Sequence, residues 1–249
     1  MIEVYTLWLR QIKRYYRSKS RIVGSLGQPL LFMLALGFGF GPIFQKAGAG
    51  NYMQFLVPGI IAMSILFMAF SSGIEVIWDR QFGFLKETLV APASRFQIML
   101  GKTLGGATVA VLQGFIVLIL SLFIGFRPTG ALSLALAFVF MFMIALLFAA
   151  LGIAIASVLE DMHGFQLIMN FLVMPIFFLS GALFPISNSL PKAITIITSI
   201  DPLSYGVDGL RGTLANTVHY GLMPDFLILA AIVVVLMALG SYLFSKIQV

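Results

Sequence analysis

Residues 128–159 read PTGALSLALAFVFMFMIALLFAALGIAIASVL, a run with no charged side chain. Coiled as an α-helix rising ~1.5 Å per residue, it exceeds the ~30 Å of a bilayer's hydrocarbon core. Five more windows behave alike: 22–45, 47–74, 103–126 and 226–245 carry no charge, and 162–191 has His163 as its only titratable group. The spans are expected near 23–41, 54–75, 99–125, 131–158, 165–184 and 225–244. Over 249 residues, 60% are apolar and only 10% charged, which leaves too little polar surface for a soluble enzyme of this length. The fold class is therefore an all-α integral membrane protein of six transmembrane helices, with residues 1–249 forming one transmembrane domain.

The 15 lysines and arginines give an orientation. Arg10, Lys13, Arg14, Arg17, Lys19, Arg21, Arg80, Lys86, Arg95, Lys102 and Lys246 fall on one side of the six spans, and Lys46, Arg127, Lys192 and Arg211 on the other. Positive charge marks the cytoplasmic side, so both termini are expected there, in the cell's inner (plasma) membrane. Residues 1–21 lack a clean cleavage pattern and read as an interfacial helix. At 100° per residue, Tyr5, Leu9, Ile12 and Tyr16 share one face, and Arg10, Arg14, Arg17 and Arg21 the opposite one. A polybasic leader that only sets topology is the alternative.

Two segments between spans are informative. Residues 78–92 are polar and face the cytoplasm in this topology; a short helix ended by Pro92 would present Phe84, Leu85 and Leu89 to a partner, with Lys86 and Glu87 at a wet rim. On the far side, residues 185–212 are apolar but broken by Pro185, Pro191 and Pro202. The stretch 193–200 is too short to cross, so a short helix dipping into the bilayer as an external gate, or a surface hairpin, is expected.

Signals of chemistry are poor. Gly101-Lys102-Thr103 ends like a phosphate-binding loop, but Phe96 replaces the required first glycine and no strand precedes it. Glu160, Asp161 and His163 form the only compact group of metal-ligand types and read as a hydrated turn or helix cap. With no cysteine there is no thiolate chemistry. Inside spans, Gln113, Gln166 and Asn170 each need a partner, either another helix or a substrate along a pathway. Glu75, near a cytoplasmic end, is the only carboxylate available for coupling to an ion, so energy is expected to come from another subunit. Gly37/Gly41, Gly101/Gly105 and Gly152/Ala156 permit close helix approach without identifying a dimer seam.

The run Asp79–Arg95, DRQFGFLKETLVAPASR, resembles the cytoplasmic signature of ABC-2 type transporter permeases, particularly daunorubicin-resistance-like multidrug exporters. FLVPGI at 55–60 and LSGALFPISNSLPKAITIITSIDPLSYGVDGLRG at 179–212 extend the resemblance. It implies a permease that pairs with a second copy, as a homodimer, and with two ABC ATPase subunits, in contact with membrane lipids and without nucleic acid. It further implies no catalytic, cofactor or metal site in this chain, with ATP and Mg held by the partner ATPase. Residues 81–91 would be the coupling helix, with Asp79, Arg80 and Glu87 fixing its ends. The region holding Pro185, Pro191, Asp201, Pro202 and Tyr205 would close the external exit. Gln81 departs from the family, where a second acidic residue is common. The substrate would be a hydrophobic or amphiphilic drug or lipid, because the spans are rich in Phe and poor in Trp. Polysaccharide or lipid-linked glycan is the alternative substrate, and a non-transport scaffold the alternative role.

Overall fold

The computed structural model describes residues 2–46, 50–90, 93–185 and 191–247. Ala91 and Pro92, the Leu89 side chain and positions 186–190 of the outer region lie outside the described residues. A short amino-terminal helix, α1 (Ile2–Arg17), turns at Ser18 into α2 (Lys19–Lys46). The second crossing is built from α3 (Tyr52–Phe70) and α4 (Ser72–Gln81), which meet at Ser71. Then follow α5 (Phe84–Val90), α6 (Arg95–Phe123), α7 (Ala131–Val158), α8 (Met162–Ile168), a π-helical turn (Met169–Val173) and α9 (Met174–Leu179). Beyond them lie α10 (Lys192–Ile200), α11 (Pro202–Ala215) and α12 (Leu222–Ser245). Among the described residues, six helical segments are long and apolar enough to cross a membrane, as the charge-free windows predict.

Local chemistry sets the ends of the helices. Ser94 and Gln97 form a reciprocal capping box, so α6 starts four residues before the expected Met99. Asn51 accepts from the Met53 amide and opens α3, and Asp161 accepts from Gly164 and opens α8. The fifth crossing ends at Leu179 rather than 184 because Gly181 turns the chain with a φ of +74°.

α3 is the centre of the bundle and is buried along almost all of its length, packed on α2, α6, α7 and α11. α7 holds α12 on its other flank. α1 lies along the first half of α6, where Gly101 sits against Val4 and Leu7, and Gly105 against Gln11 and Trp8. Arg95 Nη1 donates to the Ile247 carbonyl, so both chain ends gather at the Lys/Arg-rich end of the bundle. α11 is buried within the opposite end, and α10 lies outside it, with Thr198 its buried residue.

Candidate functional site

At the basic end two carboxylates stand one turn apart on α4, Glu75 and Asp79, and both are buried. α1 presents Arg10 and Arg14 at the same spacing. Arg10 holds Asp79 with two nitrogens, at 2.9 and 3.3 Å, and Lys102 Nζ of α6 binds the same carboxylate. Glu75 takes Arg21 of α2 at 2.6 Å and Arg14 at 3.9 Å. Four cations from three helices thus converge on one face of α4. Two neutral bonds complete the seam, Trp8 Nε1 to Thr108 Oγ1 at 2.9 Å and the Tyr15 hydroxyl to Gln113 Oε1 at 2.7 Å. Burial pushes the Tyr15 hydroxyl up from its ordinary range, keeping it protonated as a donor.

α1 therefore turns its Tyr5, Leu9, Ile12 and Tyr16 stripe outward, with Tyr5 and Tyr16 exposed, and aims Arg10 and Arg14 inward at acid residues. Arg17 remains exposed. The ion pairs are why these arginines do not simply face the aqueous phase: a long cationic side chain can bury its stem and still reach a carboxylate. Lys102 is the residue that sequence reasoning missed. It is 1% exposed, and its place in an apolar helix facing Asp79, 23 residues earlier in the chain, carries no local signal.

Arg10 also reaches the 82–90 segment, its guanidinium 3.8 Å from the centroid of the Phe84 ring. The turn into α5 is made at Gly83, φ +77°. Leu85 is fully buried and anchors α5, whereas Lys86 and Glu87 are exposed, and Phe82 and Val90, at 82% and 86%, are the most exposed apolar groups among the segment's described side chains. Arg80 pairs with Glu160 at 2.8 Å, and Gln81 Nε2 donates to the Glu160 carbonyl at 3.1 Å. An acidic residue at position 81 could not make that bond, which accounts locally for the glutamine.

The far end holds a second polar cluster. Asp201 accepts from the Leu203 amide and caps α11, followed by Pro202 at the first helical position. Burial raises the Asp201 carboxyl to about 7. The Tyr205 hydroxyl donates to the Ser199 carbonyl at 2.5 Å, and its ring packs on Tyr220 with centroids 5.1 Å apart. Pro185 lines a cavity of about 510 Å³ together with Asn51, Phe55, Asp208 and Arg211, and Pro191 starts α10. Arg211 is buried over the Phe55 ring, 3.8 Å from its centroid, and donates to the Gly181 carbonyl at 3.1 Å; burial lowers it to about 10. Asp208 accepts from the His219 and Tyr220 amides, beside fully buried Asp225. Asp208, Arg211 and Asp225 complete the outer cluster without having stood out in the sequence, because their partners are backbone groups and side chains of other elements.

The three intramembrane amides are not brought together. Gln113 is buried at the α3–α6 seam, whereas Gln166 and Asn170, one turn apart, lie on the exposed side of the fifth crossing. Gly101, Lys102 and Thr103 are all buried inside α6, and Asp161 serves as the α8 cap. Among the described residues no group of three or more His, Cys, Asp or Glu side chains is placed to hold a metal ion.

The sequence can be set beside known proteins. A family model described as ABC-2 type transporter matches residues 2–215. The chain is 29% identical to a transport permease, ycf38, of Cyanophora paradoxa over 216 residues, covering 84% of this chain and 73% of the relative. It is 27% identical to nodulation protein J of Rhizobium leguminosarum bv. viciae over 239 residues, covering 91% of each. It is also 24% identical to the inner membrane transport permease YadH of Escherichia coli K12 over 212 residues, covering 84% and 82%.

Proposed function

The chain belongs to the ABC-2 type transporter family, and from that premise we propose that it is the membrane subunit of an ATP-driven exporter for an amphiphile with a hydroxylated, glycan-like head. As a permease subunit without an ATPase motif of its own, it draws energy from a partner. Two ATPase subunits dock on a pair of these chains at the basic end, which is the cytoplasmic face in this reading, with both termini there.

The observation that carries the proposal is the ion cluster on α4. It joins α1, α2 and α6 to the helix that leads into α5, and Arg10 bridges Asp79 to Phe84. A push on α5 therefore meets a cross-braced unit rather than a loose loop, and movement of that unit passes to three spans together. Phe82 and Val90 supply the apolar contact, with Lys86 and Glu87 as its charged rim. Closure of the ATPases on ATP draws the two braced units together and opens the path between the permease halves; hydrolysis resets them. The cluster around Asp201, Tyr205 and Arg211 closes the exit.

The glycan-like head is favoured over a wholly apolar drug by the exposed amides on membrane-crossing helices. Gln28 on the first crossing and Gln166 and Asn170 on the fifth face outward from this subunit, where lipid offers no hydrogen bond. A path between two copies, wetted or filled by hydroxyl groups, satisfies them. The reported relatives are named for transport and nodulation rather than drug resistance. The test is ATP-dependent movement in inverted vesicles holding the chain and its copurified ATPase. A fluorescent lipid-linked oligosaccharide should be translocated in preference to a lipophilic dye without sugar; preference for the dye would overturn the substrate class.

A further inference from the structure

A cavity of about 340 Å³, open on one side, lies between α2, α3 and α6. Its volume is more than ten times a water molecule's ~30 Å³ share and within the range of small-ligand pockets. Arg21 and Pro29 mark its extent along α2, so it occupies the part of the spans nearest the basic end.

The wall has a definite hydrogen-bonding character. Gln113 is 1% exposed and its Oε1 is taken by the Tyr15 hydroxyl, while Nε2 has no partner among the described residues. An amide donor left so costs stability, so a group that accepts from it has a reason to bind. Ser25, Ser64 and Ser71 also line the cavity, and their hydroxyls donate to the Ile22, Ile60 and Met68 carbonyls. With those protons committed, the three oxygens face the cavity as acceptors. The one charged wall residue, Arg21, is paired with Glu75 at 2.6 Å. Met63 and Phe67 add an apolar face.

Gln28 also lines the cavity and adds an amide that donates and accepts. Amide donors, three serine acceptors and a neutralised charge suit a group that both donates and accepts and bears no charge. An anionic phosphate would set its oxygens against the three serine acceptors. We propose that this cavity binds the neutral hydroxylated head of an amphiphile, a sugar or polyol, between the helices of one subunit, with Gln28 on the side that turns outward. Its part in export rests on the functional reading above; its ligand chemistry does not.

The experiment uses the full chain purified without sugar detergents and placed in phosphatidylcholine nanodiscs. A dodecyl maltoside bearing a diazirine beside its head is photolysed there, and labelled peptides are mapped by mass spectrometry. Labelling is expected at 63–71 and around Gln113, suppressed by excess dodecyl maltoside and not by dodecyl phosphate. Gln113→Met, close in volume, should reduce it by about tenfold, the equivalent of one hydrogen bond. Should that variant elute as aggregate, Ser64→Val carries the test with the same sign. Undiminished labelling in the folded variants, protection by the phosphate, or label confined to the outside of α12 would overturn the proposal. Specific labelling in a chain that recruits no ATPase would uphold the site and sink the exporter reading; recruitment without labelling would do the reverse.

Discussion

Lys102 shows how a residue's environment can invert its apparent meaning. In the sequence it is one more positive charge on the basic side, attached to a misleading Gly-Lys-Thr triplet; in the fold it is buried against Asp79 inside α6. Removing one partner of such a pair leaves an uncompensated charge, whereas replacing both by apolar groups does not. Asp79→Leu should therefore destabilise the chain by about 3–5 kcal/mol by stranding buried Lys102, and Lys102→Met added to it should restore most of the loss, since Arg10 is 31% exposed and can turn to water. Thermal unfolding in detergent would measure both, and a double variant no better than the single would contradict the pairing. Asp201 gives a pH dependence of the opposite origin. Its folded carboxyl is raised to about 7 from an ordinary 3.8, so folding takes up a proton between those values. Stability contributed by this group is fully present below about pH 4, falls by at most about 1.4 kcal/mol per unit as pH rises, and is flat above about 7. Asp201→Asn keeps the helix cap and should abolish that slope in the unfolding midpoint; an unchanged slope would assign it elsewhere.

Among the elements, the crossings were legible because each depends on a long run without charge, a property of composition that packing does not alter. The capping box at Ser94 was equally local but was hidden by attention to charge, and the π-helical turn at Met169–Val173 has no composition signal at all. Small-residue pairs were visible but not interpretable. Gly101 and Gly105 form the seat of α1 on α6, while Gly41 has open space around it. Backbone meets backbone where α7 crosses the second span: a methyl on Gly152 would collide with the Phe70 carbonyl, and one on Gly73 with the Gly152 carbonyl. Gly152→Ala is expected to cost about 1–3 kcal/mol because backbone atoms cannot swing aside, and Gly41→Ala to be neutral or slightly stabilising. Comparing their unfolding midpoints decides the matter; equal effects would mean that α3 and α7 can separate without penalty. The docking segment was half legible. Its aromatic and aliphatic character is plain in the sequence, but a helix of one or two turns has too few residues for periodicity to tell anchor from contact. Leu85 is the anchor, and Phe82 and Val90 are the exposed groups.

For the whole molecule, the basic end is a braced platform and the far end a buried polar cluster, with α3 running between them as the buried centre. Charge counting gave the topology its two unequal ends, yet several of the charges counted, including Lys102 and Arg211, are buried structural members rather than aqueous markers. What could not be read from one sequence was which distant residues meet: Arg10 with Asp79, Tyr15 with Gln113, Arg211 with the Gly181 carbonyl. These pairings depend on tertiary packing across many residues. The central claim is that the platform receives force from an ATPase through the 82–90 segment. It is tested most directly by copurifying an untagged ATPase with the tagged chain in mild detergent, comparing the intact chain with Phe82→Asp/Val90→Asp, two exposed positions whose change leaves the core untouched. Stoichiometric ATPase with the intact chain, reduced at least about tenfold with the equally folded double variant, is the predicted result. No ATPase on the intact folded chain, or full recruitment by the variant, would contradict it.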